Sequence, residues 1–180
     1  MSGRDRDRGR VVWFTGLSGS GKTTIARAVT SALDAQGRAV ELLDGDALRA
    51  VMPTGFSRED REAHVRRVGF FASRFEHHGV TAVAALISPY RGARDHVRSL
   101  SKRFIEVYVS TPLEVCEARD VKGLYAKARA GLLKGFTGID DPYEAPESPE
   151  LVLDTSRSTV EETTSAVLAL LSREEAKWTT

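Results

Sequence analysis

The residues best suited to chemistry form one block, Gly16-Leu17-Ser18-Gly19-Ser20-Gly21-Lys22-Thr23 with Thr24 behind it, between the apolar run Val11–Phe14 and the periodic segment Ile25–Leu33. The reading is strand, phosphate loop, helix. A loop that turns its backbone N–H groups inward visits positive φ and must let an anion approach the main chain, which explains glycine at Gly16, Gly19 and Gly21. The helix that follows presents unsatisfied N–H groups equivalent to roughly half a positive charge, so polyphosphate binds at its start. Lys22 adds a mobile positive charge for the β/γ-phosphates of a nucleoside triphosphate, and the Thr23 hydroxyl is placed to meet the magnesium ion that accompanies them. A helix-capping turn explains glycine and serine but not Lys-Thr after the third glycine.

A second set of groups lies downstream. The segment Val40–Leu43 reads as a strand ending in Asp44-Gly45-Asp46, and carboxylates at a strand's C-terminal end face the crevice where open α/β sheets bind ligands. Phosphoryl transfer to a small molecule needs an acceptor pocket, a carboxylate at the acceptor hydroxyl and a lid that excludes water. Asp46, the arginines and the stretch from Asp120 to Pro149 supply candidates for all three. That stretch is too long for an ordinary connection and is expected to be a mobile lid with a short helix over Leu124–Arg129. A GTPase of the usual type reads guanine with an asparagine-containing motif, and this sequence contains no asparagine. ATP-driven motors usually need more chain.

The elements that must position these groups follow from periodicity. Beyond the two strands named above, further strands are expected over Val80–Ile87, Phe104–Val109 and Leu151–Asp154; the nearly continuous apolar character of Val80–Ile87 marks a central parallel strand covered on both faces. A helix capped by Ser57 runs to about His78, with Val65, Val68, Ala72 and Phe75 as its buried stripe and Arg61, His64 and Arg67 off it. Ala47–Thr54 is a segment broken at Pro53, and Ala93–Leu100 a short helix. Thr111 to Glu114 reads as a capping box, and Ser158 with Glu161 as the cap of a final amphipathic helix. The result is an α/β, three-layer P-loop NTPase fold: a five-stranded parallel sheet with helices on both faces, right-handed crossovers and the lid at about 120–149.

Bulk properties bound the rest. At 180 residues the chain fits one domain, over 11–180, behind a flexible arm at 1–10 whose charges alternate. That arm is neither a signal peptide nor an anchor, and no apolar run reaches the roughly 20 residues of a spanning helix. The 26 basic and 25 acidic residues give a net charge of +1, which offers no overall attraction to nucleic acid. The single cysteine, Cys116, cannot pair within the chain and suits a reducing cytosol. The expectations are a cytoplasmic protein, no membrane, no nucleic acid, and no metal beyond nucleotide-bound Mg2+.

The combination of Gly-Leu-Ser-Gly-Ser-Gly-Lys-Thr, Leu-Leu-Asp-Gly-Asp, Gly-Phe-Ser-x-x-Asp-Arg, Ile-Ser-Pro-Tyr-Arg, Lys-Gly-Leu-Tyr-x-Lys-Ala-Arg and Phe-Thr-Gly-Ile-Asp-Asp-Pro-Tyr-Glu-x-Pro, spanning Gly16 to Pro146, resembles the adenylylsulfate kinases. The resemblance implies transfer of the ATP γ-phosphoryl group to the 3′-hydroxyl of adenylyl sulfate (APS), giving 3′-phosphoadenylyl sulfate (PAPS) in sulfate activation. It implies Asp46 as base or orienting group and Arg49 and Arg61 on the phosphosulfate. Phe56 and Phe136, the latter after Gly135, would sandwich the acceptor adenine. Lys122 would approach the phosphates on closure, and Ile87 and Ser88 would contact the substrate. Ser88 matches a serine that some members phosphorylate, although direct in-line transfer needs no covalent intermediate. Asp44 is left open between the metal's water shell and a loop brace. His64 stands where the family often has asparagine, and the segment from Arg49 to Gly55 is shorter than usual. A homodimer is expected from the same resemblance. The chain length leaves no room for a fused ATP sulfurylase domain, so a separate enzyme is expected to supply the substrate.

Overall fold

The structure is a computed structural model that describes residues 9–178. Five parallel strands, β1 (Arg10–Thr15), β2 (Val40–Asp44), β3 (Thr81–Ala85), β4 (Phe104–Val109) and β5 (Leu151–Leu153), form one sheet in the order β2-β3-β1-β4-β5. β1 is therefore central, pairing in register Val12 with Val83 on one side and with Ile105 on the other. Every residue of β1 is buried. Its alternating side chains feed two separate cores, as the two-residue period of a strand requires.

On one face Val12 and Phe14 pack with Ile25, Val29 and Leu33 of helix α1 (Lys22–Ala35) and with Val167, Leu170 and Leu171 of the last helix. On the other face Val11 and Trp13 meet Val65, Val68 and Ala72 of the long helix over Arg58–His77. The helices after α1 are α2 (Gly45–Val51), α3 (Arg58–His77), α4 (Arg91–Ser99), α5 (Leu113–Arg119), α6 (Leu124–Arg129) and α7 (Val160–Trp178). The three-layer fold with a five-stranded parallel sheet is as the sequence indicates.

Several boundaries differ for identifiable reasons. β1 begins at Arg10, which is not part of an arm: its Nη1 donates to Leu171 O at 3.2 Å and its Nη2 pairs with Glu175 at 3.2 Å. Gly9 is buried as well, and the rest of the expected arm, 1–8, lies outside the described residues. α2 starts two residues before Ala47 because the Asp44 carboxylate accepts from the N–H groups of Asp46 and Ala47, capping the helix directly from the strand end. Thr111 caps nothing; its hydroxyl donates to Ser20 O at 3.1 Å instead. The last helix is capped by Thr159 and Glu162, one residue later than expected, with Thr159 N donating to Glu162 Oε2 and Glu162 N to Thr159 Oγ1. α3 does carry the full Ser57/Asp60 capping box. Residues 120–149 hold α6 and a compact turn and are tied down at several points.

Candidate active site

A cleft of about 640 Å³ opens at the C-terminal edge of the sheet, lined by the phosphate loop, Asp44 to Arg49, the end of β3 and Arg119 to Tyr125. The loop geometry explains its glycines. Gly16 has φ 148°, and a Cβ there would lie 2.4 Å from Val109 O. Gly21, at φ 96°, sits just before the first residue of α1. The helix N-terminus thus points at the cleft, as anion binding requires.

Lys22 is more deeply set than a freely solvated ligand group. Its side chain is buried, and Nζ donates to Leu17 O at 2.5 Å and to Ser20 Oγ at 3.2 Å. Desolvation lowers its pKa from 10.5 to about 8, with the Lys122 charge adding to the fall and Asp44 and Asp46 opposing it. The ammonium is held within the loop, facing a site that lacks a full counter-charge. Thr23 and Thr24 line the same cleft.

Asp44 divides its oxygens. Oδ1 accepts at 3.0 Å from Asp46 N and at 3.2 Å from Ala47 N, while the buried Oδ2 has no hydrogen-bond partner. One oxygen braces the turn, and the other is an acceptor in the cleft with no hydrogen-bond partner. Asp46 is exposed on the first turn of α2, and its Oδ2 is bonded to Lys122 Nζ from the segment after α5. Lys122 reaches the carboxylate expected to face the acceptor hydroxyl. Arg49 also lines the cleft, with its guanidinium stacked 5.0 Å from the ring centre of the exposed Phe56.

Other expected site residues are engaged elsewhere. Arg61 is buried; Nε donates to Phe56 O at 2.9 Å, Nη1 to Thr137 Oγ1 and Asp141 Oδ2, and Nη2 to Gly135 O. In this state it braces the 135–141 turn and does not line the cleft. Gly135 and Phe136 are fixed by the same turn, because their N–H groups donate to the Asp140 carboxylate. Phe136 is 7% exposed and packs edge-on against Tyr125 at 5.0 Å, in a cluster with Cys116 and Ala128. It is not an open stacking platform opposite Phe56. Tyr125 in turn donates its hydroxyl to Ser18 O of the phosphate loop at 2.9 Å. Phe136→Ala should therefore cost up to about 3–5 kcal/mol of stability, the range for a buried phenylalanine, and weaken ATP and APS together. Urea unfolding with calorimetry of both ligands checks this; loss confined to the acceptor would restore the stacking assignment.

Ser88 is likewise internal. It sits at φ 41° with its hydroxyl accepting from Trp13 Nε1 at 3.1 Å and donating to Thr15 Oγ1 at 2.9 Å. A hydroxyl 2% exposed and used on both sides braces the strand end. Its neighbour Ile87 does line the cleft. His64, expected to lie off the buried stripe, is 2% exposed, lines the cleft, and has no hydrogen-bond partner on either ring nitrogen. Burial, with Arg49 and Arg67 nearby, drops its pKa to about 4. The ring therefore enters the reaction range neutral. Because the folded state resists protonation that the unfolded chain accepts near 6.5, His64 costs stability as pH falls from about 6.5 to 4. His64→Asn should flatten that limb of a Tm-against-pH curve and leave the slope of APS affinity from pH 6.5 to 8.5 unchanged; a differing slope in that range would refute a neutral ring.

Arg119, not foreseen from the sequence, completes the cleft. Its guanidinium donates to Thr155 Oγ1 at 2.7 Å, Thr155 O at 2.9 Å and Gly19 O at 3.3 Å. An exposed arginine at the end of a helix directly before the long irregular stretch was the available signal. Arg94 was also missed. Buried, it links Glu106, Ser88 O and Glu144 O, joining the far stem of the 120–149 segment to the end of β3. Among the described residues no group of three His, Cys, Asp or Glu side chains is arranged to hold a metal ion by itself.

The pattern describing adenylylsulphate kinases matches residues 8–154. An adenylyl-sulfate kinase of Synechococcus sp. (strain JA-3-3Ab) is 54% identical over 166 residues, 91% of this chain and 94% of the relative. Another, from Halothermothrix orenii, is 52% identical over 91% of this chain and 90% of its own length. The solved Mycobacterium tuberculosis APS kinase CysC, in complex with AMPPNP and APS, superposes with a TM-score of 0.87 at 43% identity, covering 92% of this chain and 98% of that one. With the family pattern spanning both the phosphate loop and the 120–149 segment, this chain belongs to the adenylylsulphate kinase family.

Proposed function

We propose that this chain transfers the γ-phosphoryl group of ATP to the 3′-hydroxyl of adenylyl sulfate in one direct step. The observation that carries this reading is the joining, in one cleft, of a phosphate loop with its buried Lys22 and the exposed Asp46 contacted by Lys122. The loop amides and the N-terminus of α1 hold the donor phosphates, and Lys22 exchanges its loop carbonyl for a phosphate oxygen. Asp46 accepts or orients the acceptor proton. Lys122, already at that carboxylate, moves between it and the transferring group. Arg49 and neutral His64 face the acceptor's anionic end, while Arg61 holds the turn that frames it.

The orphaned Asp44 Oδ2 and the Thr23 hydroxyl form an oxygen-donor set that suits a hydrated Mg2+ arriving with ATP. When bound, that ion neutralises charge on the β- and γ-phosphates. Residues 120–149 act as a lid whose closure excludes water. The chain works in the cytoplasm as a homodimer within sulfate assimilation, on substrate made by a separate ATP sulfurylase, and engages neither nucleic acid nor membrane. Among the described residues no helix is long and apolar enough to cross a membrane.

The test is product analysis with labelled ATP and adenylyl sulfate, AMP or shikimate as acceptors. Label in 3′-phosphoadenylyl sulfate alone supports the reading. Label in AMP or shikimate but not the sulfate would assign a different acceptor, and binding without turnover would make the protein a nucleotide sensor.

A further inference from the structure

The end of β3 is held by an arginine whose three nitrogens serve three different stretches of chain. Arg94, 2% exposed on α4, donates from Nε to Glu106 Oε1 of β4 at 2.9 Å, from Nη1 to Ser88 O at 2.7 Å and from Nη2 to Glu144 O at 2.6 Å. A buried ion pair needs only the first of these contacts, and such a pair contributes little to stability once its desolvation is counted. The other two fall on backbone carbonyls that carry no charge to neutralise. They act on position, because a planar guanidinium fixes the direction of each N–H where an ammonium does not.

What they position is a wall of the cleft. Ser88 has φ 41°, a left-handed backbone that serine adopts at a cost and keeps only where its surroundings hold it. Just before it, Leu86 and Ile87 line the cleft, whereas Arg94 does not. Ile87 O accepts from Thr15 Oγ1 at 2.8 Å, so the bend hangs between the start of the phosphate loop on one side and Arg94 on the other. Tyr143 Oη lies 2.8 Å from the same Thr15 hydroxyl, and Glu144 N donates to Pro89 O at 2.8 Å. The far stem of the 120–149 segment and the bend after β3 thus move as one piece, and Arg94 bonds to both.

We infer that Arg94 is a positioning residue for phosphoryl transfer: by holding Ser88 O and Glu144 O on one guanidinium, it sets the Ile87 wall against the acceptor and anchors the segment that closes over it. This role rests on the kinase reading above and deepens it. The donor side should be indifferent, since Ser20 O of the phosphate loop is held separately by Thr111 Oγ1 at 3.1 Å and Thr155 Oγ1 at 2.9 Å.

Steady-state kinetics, Tm and amide hydrogen exchange on matched variants test it. Arg94→Lys keeps a positive charge for Glu106 but replaces three nitrogens by one, so it cannot pair with Glu106 and hold both carbonyls in their present directions. Glu106→Gln disturbs the same ion pair and leaves both carbonyl contacts in place. Both should lower Tm. Only Arg94→Lys should lower kcat/KM for APS, by about 10²-fold, the loss that a misplacement of about 1 Å produces, with KM for ATP unchanged and faster exchange of the Glu144 amide. Glu106→Gln should keep wild-type kinetics well below its Tm. If Arg94→Lys does not fold, Arg94→Met with Glu106→Gln removes both charges together, a replacement that buried ion pairs tolerate, and should show the same kinetic loss. Wild-type kinetics in the folded arginine variant, equal kinetic losses in Arg94→Lys and Glu106→Gln, or a loss without faster exchange at Glu144 would each overturn the proposal. A wild type that transfers nothing to APS removes the kinase reading and this role with it, whereas wild-type turnover beside an indifferent arginine variant removes this role alone.

Discussion

Lys22→Ala should lower turnover about 10³-fold, the upper range for removing one donor to a charge that develops in the transition state, while the protein remains folded. The fold should survive because the ammonium contributes little to the core: its two bonds are local, to Leu17 O and Ser20 Oγ, and the helix that carries it is secured by Ile25, Val29 and Leu33. Stability should change with a definite sign. Burial lowers the folded pKa to about 8, below that of the unfolded chain, so the charged lysine opposes folding at neutral pH and that cost is relieved as pH rises from about 8 to 10.5. Lys22→Ala should remove this alkaline rise. In the wild type, binding of a non-hydrolysable ATP analogue should weaken as pH climbs through 8, because the phosphates need the protonated amine. The checks are steady-state turnover, Tm against pH and calorimetric titration at pH 7 and 9. Normal turnover with a normal melting curve would remove Lys22 from the mechanism.

The parts of the site legible in the sequence were those set by short-range backbone geometry. Gly16 to Thr24 announces a loop and a helix start because glycine spacing and helix polarity are local properties. Asp44 and Asp46 were found for a related reason, as carboxylates at a strand end. Ser88, Arg61 and Phe136 are assigned to the substrate because their motifs are recognisable, but motif identity does not tell which way a side chain is spent. Arg61 meets Gly135 and Asp141, Ser88 meets Trp13 and Thr15, and Phe136 meets Tyr125, all through tertiary contacts that periodicity cannot see. The capping errors at Thr111 and Ser158 have the same origin. A hydroxyl and a carboxylate at the right spacing permit a box; the partner actually chosen depends on what else is near, as Ser20 O is for Thr111.

Asp46→Asn should abolish most turnover, by about 10²–10⁴-fold for loss of a positioned base, with little effect on folding. Asp46 is exposed, so asparagine buries no new polar group. Its place is fixed instead by the backbone: Asp46 N donates to Asp44 Oδ1, which sets the first turn of α2 and holds the side chain at the cleft that the phosphate loop and Arg49 also line. Asparagine keeps that geometry and much of the hydrogen bonding but cannot take the hydroxyl proton. It also removes the negative charge that pairs with Lys122, loosening that ammonium for the phosphates. ATP affinity should therefore hold or tighten while turnover collapses, a split that distinguishes a chemical role from a binding one. Asp46→Glu retains the charge but displaces it by one methylene, and should recover part of the rate. Single-turnover transfer with saturating APS, beside calorimetry for each ligand, decides the matter. If Asp46→Asn transfers phosphate within threefold of wild type, no base is needed at this position, and Asp46 serves only to hold Lys122 at the cleft.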